Sequence, residues 1–144
     1  MSDFDPILRA RSAYKFWQKD HVRFNDLDAL GHFGSARAQE FFTDVRARLF
    51  HDAMPGWPNV TRLPVLRASS TSHEKEAHFR ATLETGLVIE KFGRTSLSFV
   101  MGIFQGEDCI ALSRNVFVFI DSTTRKSTEP GAEIVAAFMK LAGA

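Results

Sequence analysis

Asp26, Asp28, His32 and Ser35 fall within the short run NDLDALGHFGSA, where two carboxylates, an imidazole and a hydroxyl stand close together. A carboxylate can attack a carbonyl or take a proton from water, and the N–H groups at a helix start can hold the oxyanion that follows. Both parts are implied here. Val22 and Phe24 alternate with Arg23 and Asn25, the period of a half-buried strand, and the chain then turns at Asp26. From Ser35 onward, Ala38, Phe41, Phe42, Val45 and Leu49 recur every three or four residues, the apolar stripe of a helix. A plainer reading stands beside this one, because Asp and Gly are ordinary turn formers and Asp26, Asp28 and Gly31 could simply build the turn and help cap the helix.

Other chemistries fit these residue types less well. Asp26, Asp28 and Gly31 occupy positions one, three and six of a calcium loop, but position five is Leu30 and position twelve is Arg37, where oxygen ligands are required. His73 and His78 bracket two glutamates, yet five residues separate them. Neither a helix nor a strand turns that spacing to one side, so a solvated charged segment is expected and no metal. Ser35 lacks the G-x-S-x-G elbow of a nucleophile and is better used as a backbone donor or helix cap. Cys109 opens an apolar strand and reads as a small buried residue.

In order and residue type the segment resembles hot-dog-fold acyl-CoA thioesterases of the 4-hydroxybenzoyl-CoA thioesterase type. Their pattern is an aromatic strand end, Asp-x-Asp-x-x-Gly, often His, and then the long central helix; Phe24, Asp26, Asp28, Gly31 and His32 match it. The resemblance implies that the second aspartate, Asp28, is catalytic. It departs where such proteins carry a Val-Asn-Asn-like stretch and a helix-start tyrosine, because Phe33, Gly34, Ser35 and Ala38 stand here. That departure bears on acyl selectivity more than on the chemistry.

With 144 residues, 44% of them hydrophobic and fourteen of them phenylalanine, the chain can fill one core but not two, so residues 1–144 are expected to form a single domain. A net charge of +1 with dispersed cations argues against nucleic acid as a partner. No apolar run is long enough to span a membrane, no secretory signal precedes the first strand, and one cysteine makes no internal disulfide; a cytoplasmic protein is expected.

The patterning predicts a first strand over 14–24, a helix over 35–51, a proline-rich loop over 54–59, and strands over 63–71, 79–91, 95–105 and 109–121. Residues 1–12 are expected to lie across the surface, and 133–141 to form a short terminal helix. The run from Val116 to Ile120 suggests a strand covered on both faces. One long helix followed by antiparallel strands is an α+β chain, and the resemblance names it a hot-dog fold, a sheet wrapped around a central helix.

The expected function is hydrolysis of an acyl- or aryl-CoA thioester without a cofactor. Asp28 would act as nucleophile or general base, with the helix-start N–H of Ser35 at the oxyanion and Gly31 and Gly34 allowing close approach. His32 would orient the turn or touch the thioester oxygen, or serve structure alone. Lys91, Arg94, Thr95 and Ser96 combine cations and hydroxyls suited to phosphate, and in the related thioesterases this stretch lies near the nucleotide of coenzyme A. An exposed turn is the simpler reading of that segment. The resemblance further implies a homodimer or homotetramer, with the aspartate from one protomer and much of the coenzyme A contact from the other. A hot-dog protein that binds an acyl-CoA or other lipid-like ligand without cleaving it is the alternative. A hydratase is weaker still, since only the His-containing turn suggests it.

Overall fold

A computed structural model describes residues 4–144. Five antiparallel strands form one sheet: β1 (Phe16–His21), β2 (Arg62–His73), β3 (Thr82–Phe92), β4 (Ser96–Gln105) and β5 (Asp108–Asp121), in the order β1-β3-β4-β5-β2. Helix α1 (Ser35–Ala53) crosses one face, and α2 (Ala132–Ala142) packs beside it. This is the expected hot-dog arrangement.

The phenylalanines explain why the sheet wraps the helix. Ala38, Phe41, Phe42, Val45 and Leu49 are all buried, as their spacing requires, and Phe50 extends the stripe. The Phe50 ring meets Trp57, Phe99, Phe117 and Phe138 at centroid distances of 5.0–6.2 Å. Burying each such ring contributes roughly 1.5–3 kcal/mol. The Phe138 ring brings α2 into the same cluster through Phe92 and Phe119.

The opposite face of the sheet is covered by the N-terminal segment, which runs in two short 3-10 turns at Pro6–Arg9 and Arg11–Ala13. Its polar sequence conceals anchors: Phe4, Leu8 and Tyr14 are buried against Val88, Val100, Phe104 and Leu112. The Tyr14 hydroxyl donates to the Leu8 carbonyl at 2.6 Å, and the ring lies across Gly86 and Gly102, which are register partners on β3 and β4. Arg9 Nε reaches Glu74 at 2.6 Å, so the strap is tied to the end of β2. Residues 1–12 therefore do lie across the sheet from residue 4 on, but as a packed layer; residues 1–3 are outside the described part.

Two expectations need correction. The first strand stops at His21, and Phe24 belongs to a 3-10 turn over Phe24–Asp26. That turn rotates Phe24 outward to 72% exposure, against Phe79 at 5.9 Å. The run from Val116 to Ile120 is also not covered on both faces: Phe117 and Phe119 are buried, while Val116, Val118 and Ile120 are half-exposed on the far side. The strap ends short of that corner of the sheet.

Candidate active site

The acidic turn is built from the inside out. Asp26 is fully buried; its Oδ2 accepts from the Arg23 backbone N–H at 2.8 Å, and its Oδ1 pairs with Arg23 Nη2 at 3.1 Å. Burial works to raise this carboxyl's pKa, but the Arg23 hydrogen bonds, with Arg37 beyond, outweigh it and hold the group below its ordinary range. The Asp26 carbonyl accepts from the Gly34 N–H at 2.9 Å, which fixes where α1 starts.

On this base a five-residue excursion, 28–32, is closed by a bridge between Leu27 and Phe33. Gly31 has φ +78°, the left-handed region where glycine is favoured. Asp28 points outward and is exposed. Its Oδ1 accepts from the backbone N–H groups of Leu30 at 2.9 Å and His32 at 3.1 Å. Those bonds, His32 first, hold the carboxyl below its usual range and keep it ionised. Oδ2 accepts no hydrogen bond among the described residues, so one oxygen is pinned and the other is available.

Helix α1 begins at once beside this carboxylate. Gly34 is the N-cap residue and has no side chain to cap with; its N–H is already taken by Asp26, and its carbonyl accepts from Arg37 and Ala38. The expected capping by Ser35 is thus not made. Ser35 and Ala36 present backbone N–H groups that have no acceptor within the helix, and the helix dipole adds partial positive charge there. A side chain at Gly34 would lie 3.9 Å from Asp28 Cβ, so this N-terminus is next to the carboxylate.

Asp28, His32, Phe33, Ser35 and Ala38 line one side of a cleft of about 340 Å³. The other wall comes from His73–Glu76 with Ile110 and Ala111. His32 braces Asp28 through its main chain, donating to Oδ1 and accepting from the Asp28 N–H at 2.7 Å; its imidazole Nε2 instead faces Glu76 across the cleft at 3.4 Å. The 73–76 segment, expected to be merely solvated, is brought here by strand register, since His73 pairs with Ala111. Glu74 is held ionised by Arg9 and Ser72. No local sequence signal marks these wall residues; only the pairing of β2 with β5 places them.

Lys91, Arg94, Thr95 and Ser96 are not brought to this cleft within one chain. They span the end of β3, the turn and the start of β4, and Ser96 pairs with Val118. Val118 lies seven positions along β5 from Ala111, about 24 Å of strand. Lys91 and Arg94 are exposed there, while Gly93 N–H donates to the Ser96 carbonyl at 2.9 Å.

Among the described residues no three His, Cys, Asp or Glu side chains are grouped to hold a metal ion, and no helix is long and apolar enough to cross a membrane. Cys109 is buried, and burial pushes its thiol up to about 11, away from thiolate reactivity.

A helix wrapped by an antiparallel sheet, with an exposed carboxylate at the helix start, is the layout of a thioesterase-like protein. Residues 22–138 match the thioesterase-like superfamily, and the chain belongs to that family. Solved structures agree on the fold. The PA5185 protein of Pseudomonas aeruginosa superposes with a TM-score of 0.81 at 22% identity, covering 92% of this chain and 95% of that one. A 1,4-dihydroxy-2-naphthoyl-CoA thioesterase from Synechocystis gives 0.78 at 16% identity, over 88% and 97%. A thioesterase from Thermus thermophilus, solved with coenzyme A and zinc, gives 0.80 at 20% identity, over 90% and 95%. No curated protein matches the sequence.

Proposed function

We propose that this protein hydrolyses an acyl- or aryl-CoA thioester to the free acid and coenzyme A, with Asp28 as the reacting carboxylate. The observation that carries this reading is the geometry of Asp28: ionised, one oxygen pinned by two backbone N–H groups, the other free beside an uncapped helix start. As nucleophile, Asp28 attacks the thioester carbon, the oxyanion is held by the Ser35 and Ala36 N–H groups, and the thiolate leaves with a mixed anhydride formed; water then cleaves the anhydride. As general base, Asp28 takes the proton of a water that attacks the same carbon. Both courses need the carboxylate ionised, and the backbone bonds from His32 and Leu30 that lower its pKa favour that form. Family membership and the coenzyme A complexes of structural neighbours support the substrate class. His32 serves by bracing Asp28, and Gly31 and Gly34 by shaping the turn.

The deciding experiment is release of free thiol from a panel of short, long and aromatic acyl-CoAs by the purified protein. Turnover of at least one supports the reading. Saturable binding of acyl-CoA with no release would make the protein a carrier or sensor built on the same fold.

The protein acts as a homo-oligomer with a dimer as its smallest active unit. The outer edge of β2 is unpaired and exposed over 66–70, an edge that a second copy can cover. The 24 Å between the β3–β4 turn and the cleft within one chain supports a shared site, in which Lys91 and Arg94 would meet the substrate of a partner's Asp28. Sedimentation at micromolar concentration beside an activity titration checks this; a fully active monomer contradicts it.

Neutralising Lys91 and Arg94 together should raise KM for full-length CoA thioesters more than for pantetheine thioesters, which lack the nucleotide phosphates, with little change in kcat. Steady-state kinetics on both substrates read the difference, and equal losses would return this turn to a role in the fold alone.

A further inference from the structure

Bracing Asp28 takes only the main chain of His32, whose N–H donates to Oδ1 and whose carbonyl accepts from the Asp28 N–H. The imidazole is left over. It lines the cleft together with Asp28, and its Nε2 meets Glu76 Oε1 of the opposite wall at 3.4 Å. Nδ1 has no hydrogen-bond partner among the described residues. Charge on the ring is felt at Asp28: behind the backbone bonds from His32 and Leu30, it is a further and smaller cause of the lowered carboxyl pKa.

Three residues of the opposite wall carry a full charge, and two are engaged elsewhere. Glu74 is held by Arg9 and Ser72, and Lys75 Nζ donates to Asp108 Oδ1 at 2.9 Å; none of these partners lines the cleft. Glu76 pairs only with His32 among the described residues. Its mounting is firm. The N–H groups of Glu74 and Lys75 both donate to the Ile110 carbonyl, at 2.8 and 3.1 Å, and Ala77 is buried in the core, so the main chain is held on both sides of Glu76. His32 is held as well, inside the excursion closed by the Leu27–Phe33 bridge. An exposed ion pair adds little to stability. What it supplies is orientation: a carboxylate on Nε2 keeps a proton there and leaves the Nδ1 lone pair to act as a base.

The nucleophilic course has a place for such a base. Once Asp28 is acylated, its carboxylate is consumed in the anhydride, and the water that cleaves the anhydride needs another group to take its proton. We propose that His32 is that general base and that Glu76 is its positioning residue. Nδ1 takes one proton as the water oxygen bonds to the acyl carbon; the bond from that carbon to Asp28 Oδ2 breaks, and its electron pair restores the carboxylate. The acid leaves, and the imidazolium returns its proton to solvent, from which the departed thiolate draws one. Thioester and water thus give acid and thiol. The proposal rests on the hydrolase reading and on its nucleophilic course, and it adds the group that completes the second half of the reaction.

Stopped-flow release of thiol from acyl-CoA tests this, with His32→Gln and Glu76→Gln beside the parent. The two side chains are 44% and 59% exposed, so both variants should keep the parent's circular dichroism. His32→Gln should release one thiol per active site at the parent's rate and then slow by ~10²-fold in steady state, the loss expected for a general base. Its kcat should fall while kcat/KM holds, because kcat/KM reports only the steps up to loss of the thiol. A merely structural role would lower both. Glu76→Gln keeps a contact for Nε2 without the charge; it should show the same burst with a smaller fall in kcat, and it carries the test if the His32 variant folds poorly. Equal steady rates in the parent and both variants overturn the proposal. So does a fall in kcat without a burst, which would place His32 before the thiol leaves. A parent that releases no thiol from any acyl-CoA removes the hydrolase reading and this proposal together, an outcome distinct from a parent that turns over beside equally active variants.

Discussion

Asp28→Asn protein should fold normally and turn over acyl-CoA at least ~10²-fold more slowly than the parent, a loss of the size found when a positioned acid or base is removed. Asparagine keeps the side-chain length and one carbonyl oxygen, so the bonds from the Leu30 and His32 N–H groups can persist. What goes is the free anionic oxygen. Because Asp28 is exposed and supports no packing, circular dichroism and the unfolding midpoint should match the parent. The loss should fall on kcat more than on KM, since the carboxylate reacts with the thioester carbon and does not grip the remote parts of coenzyme A. An Asn variant as fast as the parent would remove Asp28 from the chemistry.

Asp26→Asn should behave in the opposite way, losing stability by about 1–3 kcal/mol, the cost of a buried polar group whose partners no longer match. Asn offers one acceptor oxygen where Asp26 uses two, and its NH₂ would face the Arg23 donors. The cost is limited because the Arg23 side chain is 68% exposed and can return to water. The sign of the pH dependence follows from the lowered pKa of Asp26. Its contribution is complete above the ordinary value of 3.8 and is lost as pH falls through the lower folded-state value. Denaturant unfolding of parent and variant should therefore differ at neutral pH and converge as the medium is acidified below that range. A fully stable but inactive Asp26→Asn protein would exchange the roles of the two aspartates.

The helix and most of the sheet were legible in the sequence because their periods are set by burial alone. Ala38, Phe41, Phe42, Val45 and Leu49 announce α1, and the observed strands β3 to β5 differ from expectation by a few residues at their ends. Period fails where a side chain overrides it. Val22 is buried as expected, but Asp26 captures the Arg23 N–H and turns the chain, so Phe24 leaves the core. The N-terminal strap was hidden for a related reason: two short 3-10 turns have no period, and three anchors among arginines look like surface.

The site divides along the same line. Asp28, Gly31, His32, Gly34 and Ser35 are neighbours in sequence, so their type and order were readable together. The far wall of the cleft is not local: His73 to Glu76 reach it only through the pairing of β2 with β5. The turn at Lys91 to Ser96 illustrates the reverse case, a chemically suggestive segment that one chain alone cannot bring to Asp28.

The most direct test of the central claim is a crystal structure of Asp28→Asn protein with an intact acyl-CoA. The account predicts the thioester carbonyl oxygen within hydrogen-bond distance of the Ser35 or Ala36 N–H, with the carbonyl carbon against the substituted amide side chain at position 28. An acyl-CoA bound with its thioester away from the start of α1 would contradict it.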